Sequence, residues 1–379
     1  MNYRTLIAAP VAILAACFAV SASAQTIETP ARNAHIVDLS TGTVLLSKAD
    51  EIPMPPASMS KLMTVYMVFD SLKKGTLSLE DKFFVSKKAW RKGGSKMFVR
   101  VGDRVSVSDL LRGIIIQSGN DACIVVAEAI GGTEEDFARM MTARAREIGL
   151  QDSTFANSTG WPDPSHEMSA RDLATLSKRL VTDFPELYKI FAEKEFTFSN
   201  IKQGNRNPLL YQNVGADGLK TGHTKEAGYG LTASAERDGR RIVMVLNGMD
   251  SIRQRSQESL RLIEWAFRTF EAYSFFKKGD EVTTASVWLG MEKTVPLLIQ
   301  EDLRLTLRRN TRDKMTVKVR LTEPVPAPIA EGTQLATLVV TGPAMKTVEI
   351  PLVAGANVQK LGFVGRIGAA VKHVIWGPS

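Results

Sequence analysis

Residues 56–69 read Pro56-Ala57-Ser58-Met59-Ser60-Lys61-Leu62-Met63-Thr64-Val65-Tyr66-Met67-Val68-Phe69. A break made by Pro53, Pro55 and Pro56 gives way to apolar residues at helical spacing: Met59, Leu62, Met63, Tyr66, Met67 and Phe69. This predicts a mostly buried helix over residues 58–72 with its start near Ser58. In its first turn Ser58 and Lys61, three residues apart, share a face. A serine hydroxyl is a weak nucleophile at neutral pH and needs a base beside it. The positive potential of a helix start favours an oxyanion there. Spacing alone is a weak signal, because Ser71/Lys74, Ser199/Lys202 and Ser274/Lys277 repeat it. Those read as solvated surface pairs; Ser58 differs in following a proline break and opening an apolar run.

Working outward, residues 34–38 and 43–47 flank Ser40-Thr41-Gly42 and predict a β-hairpin. Residues 108–116 and 122–130 read as two apolar helices, 136–148 as an amphipathic one, and Ser169 as the cap of another. Residues 229–236 and 241–247 read as antiparallel strands joined near Asp238-Gly239, and 256–270 as a closing helix. Beyond Tyr273 the period changes to two, over 303–308, 315–321, 334–340 and 347–353. That predicts a small all-β domain with one wet face and no catalytic cluster, serving as a spacer or docking module.

Two more polar segments stand in apolar settings. Gln117-Ser118-Gly119-Asn120-Asp121 separates two greasy helices. It reads either as a plain loop or as a hydroxyl and an amide projected into a cleft, the first to relay a proton, the second to hold a carbonyl. Lys220-Thr221-Gly222-His223-Thr224 precedes strand-like sequence. It reads either as an exposed turn or as the edge strand of a cleft, where glycine lets a substrate backbone lie close. A cation there raises the cost of protonating Lys61 and keeps that amine usable as a base.

The 379 residues are 44% hydrophobic and 23% charged, which is globular composition with length for one large core and a smaller second one. Arg4, an apolar stretch over 5–20 and Ala22-Ser23-Ala24 predict a leader at 1–24 cleaved before Gln25. Leu14-Ala15-Ala16-Cys17 offers lipoprotein processing as an alternative. Cleavage after Ala24 leaves Cys123 as the single cysteine, a small core residue by its apolar neighbours. Four scattered histidines show no metal-ligand spacing, so no metal and no cofactor are expected. The net charge of +8 in an exported chain points to anionic lipid or cell-wall carboxylates, not to nucleic acid. Residues 358–379 place Leu361, Phe363, Val364, Ile367, Val371, Val374 and Ile375 within about half of a helical circle, opposite Arg366 and His373. They are too short and too charged to span a bilayer, and predict a helix lying in the membrane surface.

Taken in order, Ser58-Met59-Ser60-Lys61, Ser118-Gly119-Asn120 and Lys220-Thr221-Gly222 are specific where each alone is not. Together with Ser169-Ala170-Arg171-Asp172-Leu173 and Trp265-Ala266-Phe267-Arg268 they resemble the motifs of low-molecular-mass penicillin-binding proteins. The nearest group is the serine D-alanyl-D-alanine carboxypeptidases (peptidase S11) with a C-terminal β domain and an amphipathic anchor. The resemblance covers essentially the whole chain after the leader. It implies a penicillin-binding/β-lactamase-like α/β (α+β) fold, an antiparallel sheet with flanking helices, over 25–272, an all-β domain over 273–355 and an anchor over 358–379.

It also implies an activity: removal of the terminal D-alanine from peptidoglycan stem peptides ending in D-Ala-D-Ala, at the outer face of the inner membrane, with covalent capture of β-lactams. Ser58 would be acylated, Lys61 would be its base and Ser118 the proton relay. Asn120, Lys220, Thr221, Gly222 and His223 would line the substrate, and the N–H groups of Ser58 and His223 would form the oxyanion hole. Within 250–259 the family carries an arginine for the terminal carboxylate. Arg255 matches best and Arg253 is the alternative; a guanidinium fork fits a carboxylate with two hydrogen bonds. Glu167, the one glutamate between Gly160 and Asp172, lies in surroundings unlike the loop that activates water in class A β-lactamases, so fast β-lactam hydrolysis is not expected. A β-lactamase or endopeptidase on the same scaffold, and a non-catalytic stem-peptide binder, remain the competing readings.

Overall fold

The computed structural model describes residues 27–343, 345, 347–363 and 365. The expected leader, Cys17 and the larger part of the expected anchor lie outside the described residues. Five strands form one antiparallel sheet: β1 (Asn33–Asp38), β2 (Thr43–Lys48), β3 (Ala216–Thr224), β4 (Gly228–Arg237) and β5 (Arg240–Met249), in the order β2-β1-β5-β4-β3. Asp238 and Gly239, both in the left-handed region, make the two-residue turn between β4 and β5.

Alternation along the strands sends side chains to two separate cores. Val243 and Val245 of β5 join one, and Ile242, Met244 and Leu246 join the other. The first core is built on helices α1 (Lys61–Lys73), α2 (Val107–Ile115), α3 (Asn120–Gly131), α4 (Glu134–Glu147) and α5 (Ala170–Asp183). The second is covered by α6 (Ile252–Thr269) through Leu262, Ile263 and Ala266. Helix α1 is buried on every side from Lys61 to Phe69, as an all-round apolar helix must be. Ser106, Thr133, Ser169 and Ser251 cap α2, α4, α5 and α6 by accepting from the amide three residues on.

Helix α6 passes directly into β6 (Phe270–Phe276). Then follow β7 (Glu281–Trp288), β8 (Thr294–Ile299), β9 (Leu303–Arg308), β10 (Thr316–Leu321), β11 (Val325–Pro326), β12 (Gln334–Thr341) and β13 (Val348–Ala354). Strands β6 and β9 pair with each other, and the rest form a sheet in the order β10-β12-β13-β8-β7-β11. Leu297, Ile299, Leu305, Leu338, Val340 and Leu352 lie in their common core. The two halves meet at Asp38, which is fully buried and accepts hydrogen bonds from Ser40, from Arg240 Nε (2.6 Å) and from Thr306 Oγ1 of β9 (2.7 Å).

Four expectations need correction. The helix expected from Ser58 opens with a 3-10 turn at Ala57–Ser60 and becomes α-helical only at Lys61. The closing helix starts at Ile252, not 256, because Ser251 caps a polar first turn that hydrophobic periodicity does not register. The expected anchor does not begin at 358: Val358 is buried and bridges Ile329, and Lys360 bridges Gly290, so both belong to the β domain. The boundary expected at 272/273 falls inside β6.

Candidate active site

Ser58 is the only residue of the turn Ala57–Ser60 that is not buried. The turn is held under strain and close cover. Ala57 has φ +48°, a conformation that a residue with a side chain seldom adopts. Gly222 of β3 lies so near that a Cβ there would sit 2.9 Å from the Pro56 carbonyl oxygen. Gly160 lies closer still: a Cβ would sit 1.9 Å from the Ala57 carbonyl oxygen. Glycine at these two positions is what lets an edge strand and a loop close over Ser58 from different parts of the chain.

Lys61, first residue of α1, is fully buried. Its Nζ donates to Ser58 Oγ at 2.8 Å and to the Thr159 carbonyl at 2.5 Å. Burial, with Arg206 and Lys92 adding repulsion, brings its pKa down to about 8. An amine with a pKa so lowered holds a working fraction of its neutral form, and that form, in contact with a hydroxyl, can take its proton.

Ser118 stands in the link between α2 and α3 at φ +60° and is 1% exposed. Asn120, the first residue of α3, donates through Nδ2 to the Gly93 carbonyl at 2.8 Å, and its backbone N–H reaches the Ser95 carbonyl at 2.7 Å. Asp121 accepts the N–H groups of Met97, Phe98 and Val99, which ties the 93–99 loop to the start of α3.

Lys220 and Thr221 are buried on β3. Lys220 Nζ donates to the Thr221 carbonyl at 3.1 Å. Burial pushes the Lys220 amine well below its usual range, and Lys61, Arg206 and Arg255 push it further. Lys61 is thus near enough to act electrostatically on Lys220. His223 is exposed at the end of β3 and stacks on Tyr229 at 3.9 Å. Arg255 is 7% exposed, lies 5.9 Å from the Tyr229 ring, and has a buried Nε with no protein partner. Arg253 is exposed. The structure thus brings Ser58, Lys61, Lys220 and Gly222 to one place, with Arg255 beside the Tyr229–His223 stack.

Sequence reasoning missed two contributors. Arg206 donates to Ser95 Oγ at 2.7 Å and acts electrostatically on both Lys61 and Lys220. Nothing in Asn205-Arg206-Asn207 marks it, because its role depends on long-range packing. The other is the loop 157–161, where Asn157 Oδ1 accepts from the amides of Thr159, Gly160 and Trp161 and so aims the Thr159 carbonyl at Lys61. Its Asn-Ser-Thr-Gly composition is a turn signal that could have been read. Glu167 is exposed and pairs through its backbone with Thr154. Cys123 is fully buried and its thiol is pushed up to about 12. Among the described residues no group of three or more His, Cys, Asp or Glu could hold a metal ion.

The family description "D-alanyl-D-alanine carboxypeptidase", peptidase S11, matches residues 19–251, and "Penicillin-binding protein 5, C-terminal domain" matches 270–360. The D-alanyl-D-alanine carboxypeptidase DacC of Escherichia coli (strain K12) is 39% identical over 357 residues, 91% of this chain and 89% of that protein. The crystal structure of penicillin binding protein 5 from Haemophilus influenzae superposes with a TM-score of 0.78 at 33% identity, covering 88% of this chain and 99% of that one. Penicillin-Binding Protein D2 from Listeria monocytogenes, solved in its ampicillin-bound form, gives a TM-score of 0.59 at 28% identity, covering 64% and 98%. The fold is the penicillin-binding, β-lactamase-like one with an all-β C-terminal domain. With both halves matched in order and over nearly their whole length, the chain belongs to the peptidase S11 family of D-alanyl-D-alanine carboxypeptidases.

Proposed function

We propose that this chain removes the C-terminal D-alanine from peptidoglycan stem pentapeptides through an acyl-enzyme on Ser58. The observation that carries this reading is the buried Lys61 amine, brought to a pKa of about 8, within 2.8 Å of the Ser58 hydroxyl. The substrate lies as an added strand along β3, its terminal carboxylate received by Arg255 and its backbone by Asn120 and Thr221. Ser58 Oγ attacks the carbonyl of the penultimate D-alanine and its proton passes to Lys61. The oxyanion is held by the N–H groups of Ser58 and His223. The C–N bond breaks and the leaving amine takes the proton back through Lys61 and Ser118. Water then cleaves the ester and restores Ser58. Arg206 and Arg255 keep the site cationic, which favours the carboxylate, and Arg206 also disfavours a proton on Lys61.

A β-lactam presents a strained amide where the substrate presents its terminal peptide bond, so penicillins acylate the same serine. The ampicillin-bound Listeria relative supports that part of the reading. The exposed Glu167 gives no base for rapid release of the penicilloyl group. The enzyme works after export, at the periplasmic face of the inner membrane, held there by the segment after 362. Among the described residues no helix is long and apolar enough to cross a membrane.

Mass spectrometry of the mature protein after benzylpenicillin tests the reading. One adduct on Ser58, together with D-alanine release from a D-Ala-D-Ala pentapeptide, is expected. Rapid penicillin turnover without D-alanine release makes it a β-lactamase, and no adduct makes it a binder. Truncation after Gly362 is expected to free the protein from membranes with its activity intact; a truncated form that still sediments with membranes contradicts the anchor.

A further inference from the structure

One surface next to the cleft enters the chemistry above only through the repulsion that Lys92 adds at Lys61. Residues 82–102 contain seven cations (Lys82, Lys87, Lys88, Arg91, Lys92, Lys96 and Arg100) and no acid. The chain as a whole carries a net charge of only +8, so the positive charge is concentrated here. Among the described residues only Lys88 of the seven forms an ion pair, with Glu134 and Glu135. Large apolar rings stand exposed among the cations: Trp90 at 45%, Phe98 at 44% and, from the facing loop, Trp161 at 45%. Lys92 Nζ lies 4.9 Å above the Trp161 ring, and Lys96 Nζ donates to the Trp90 carbonyl at 2.7 Å.

The patch is fixed to the mouth of the cleft. The Gly93 carbonyl takes the Asn120 amide, Ser95 Oγ takes Arg206, and a Cβ on Gly94 would meet both Asn120 Nδ2 (2.7 Å) and the Trp161 ring (3.1 Å). Unpaired surface charge costs solubility nothing but creates a field that collects anions. Exposed aromatic faces among those charges add flat contact area that a purely electrostatic steering surface would not need.

We propose that Trp90, Arg91, Lys92, Phe98, Arg100 and Trp161 form a second binding surface that holds the peptidoglycan polymer itself, sugar rings on the aromatic faces and stem-peptide carboxylates on the cations. The inference rests on the proposed activity, because the polymer is the body that carries the scissile stem peptide. An anionic lipid surface has similar charge, but the patch borders the substrate entrance and shares its loop with Asn120, which favours the substrate's own polymer.

The test uses the full chain and two variants at exposed positions outside the catalytic group, Arg91→Ala/Arg100→Ala and Trp90→Ala. Co-sedimentation with purified sacculi is expected to fall about tenfold in each variant, and wild-type binding to weaken as salt rises. D-alanine release from sacculi is expected to fall with it. Release from a short soluble D-Ala-D-Ala peptide, and the rate of Ser58 labelling by penicillin, are expected to stay at wild-type values. Unchanged sedimentation of both variants overturns the proposal. So does equal loss on the short peptide, which marks a structural role, or loss of binding to phosphatidylglycerol vesicles with sacculus binding intact, which assigns the patch to lipid. Failure of wild-type protein to label at Ser58 sinks the enzymatic reading instead, and the sedimentation result stands apart from it.

Discussion

Two polar clusters in this molecule are built on opposite plans. At the joint between the halves, the Asp38 carboxylate is matched by Ser40, Arg240 and Thr306, and Arg240 also reaches the Phe270 carbonyl. In the cleft, Lys61, Lys220, Arg206 and Arg255 stand near one another, and none forms an ion pair among the described residues. The first cluster is complete and holds the protein together. The second is left short of an anion, and burial there costs stability that an incoming carboxylate can return. Stability and function are thus separable by which charges already have a partner.

The strongest way to break the comparison is Ser58→Ala. It is expected to abolish penicillin labelling in a mass spectrum while the melting curve stays near wild type, since a hydroxyl at a cleft wall adds little packing. Next comes Asp38→Ala, which leaves Arg240 uncompensated. Urea unfolding should show a loss of about 3–5 kcal/mol, with Ser58 labelling unchanged per folded molecule. Arg255→Ala is expected to lower kcat/KM for a D-Ala-D-Ala peptide about 100-fold, while a wild-type value returns the carboxylate to Arg253.

The smallest effect sharpens the contrast. Lys61 has a folded pKa of about 8 against 10.5 in its ordinary state. Acylation is therefore expected to accelerate as pH rises through about 8, where the amine becomes neutral. The same shift has a stability sign. The folded state holds the proton less tightly than the unfolded one, so the penalty is complete below about 8 and fades as pH rises toward 10.5. Lys61→Met should be inactive yet about 1–3 kcal/mol more stable at pH 7, an advantage that shrinks across that window. A variant that is less stable at pH 7 would show that the hydrogen bonds to Ser58 and Thr159 outweigh desolvation.

What could be read from the sequence was local. The largely apolar run of α1, the Ser-capped helices and the alternating strands β9, β10, β12 and β13 announce themselves within a few residues. The three short motifs were legible because their residue types suit nucleophile, relay and cationic strand. The rest depends on contacts between distant segments. Periodicity cannot show that Gly160 closes on Ala57, that Arg206 arrives beside Ser95, or that Asp121 fastens the 97–99 backbone. Strands β7 and β8 were missed because Glu281–Trp288 mixes Thr and Ser into both faces and Thr294–Ile299 contains Pro296. The 3-10 opening at Ser58 has no sequence sign of its own; it follows from the strain at Ala57 and the loop pressed against it.

Helix α6 ends at Thr269 and strand β6 begins at Phe270, so the chain crosses from one half to the other without a linker. Together with the Asp38 clasp, this makes the crossing a welded bracket and not a leash. Wherever the far end of the β domain is fastened, the serine is then carried at one set height and tilt. Lengthening this junction with a few glycines would turn a measured reach into an unmeasured one without touching a catalytic atom.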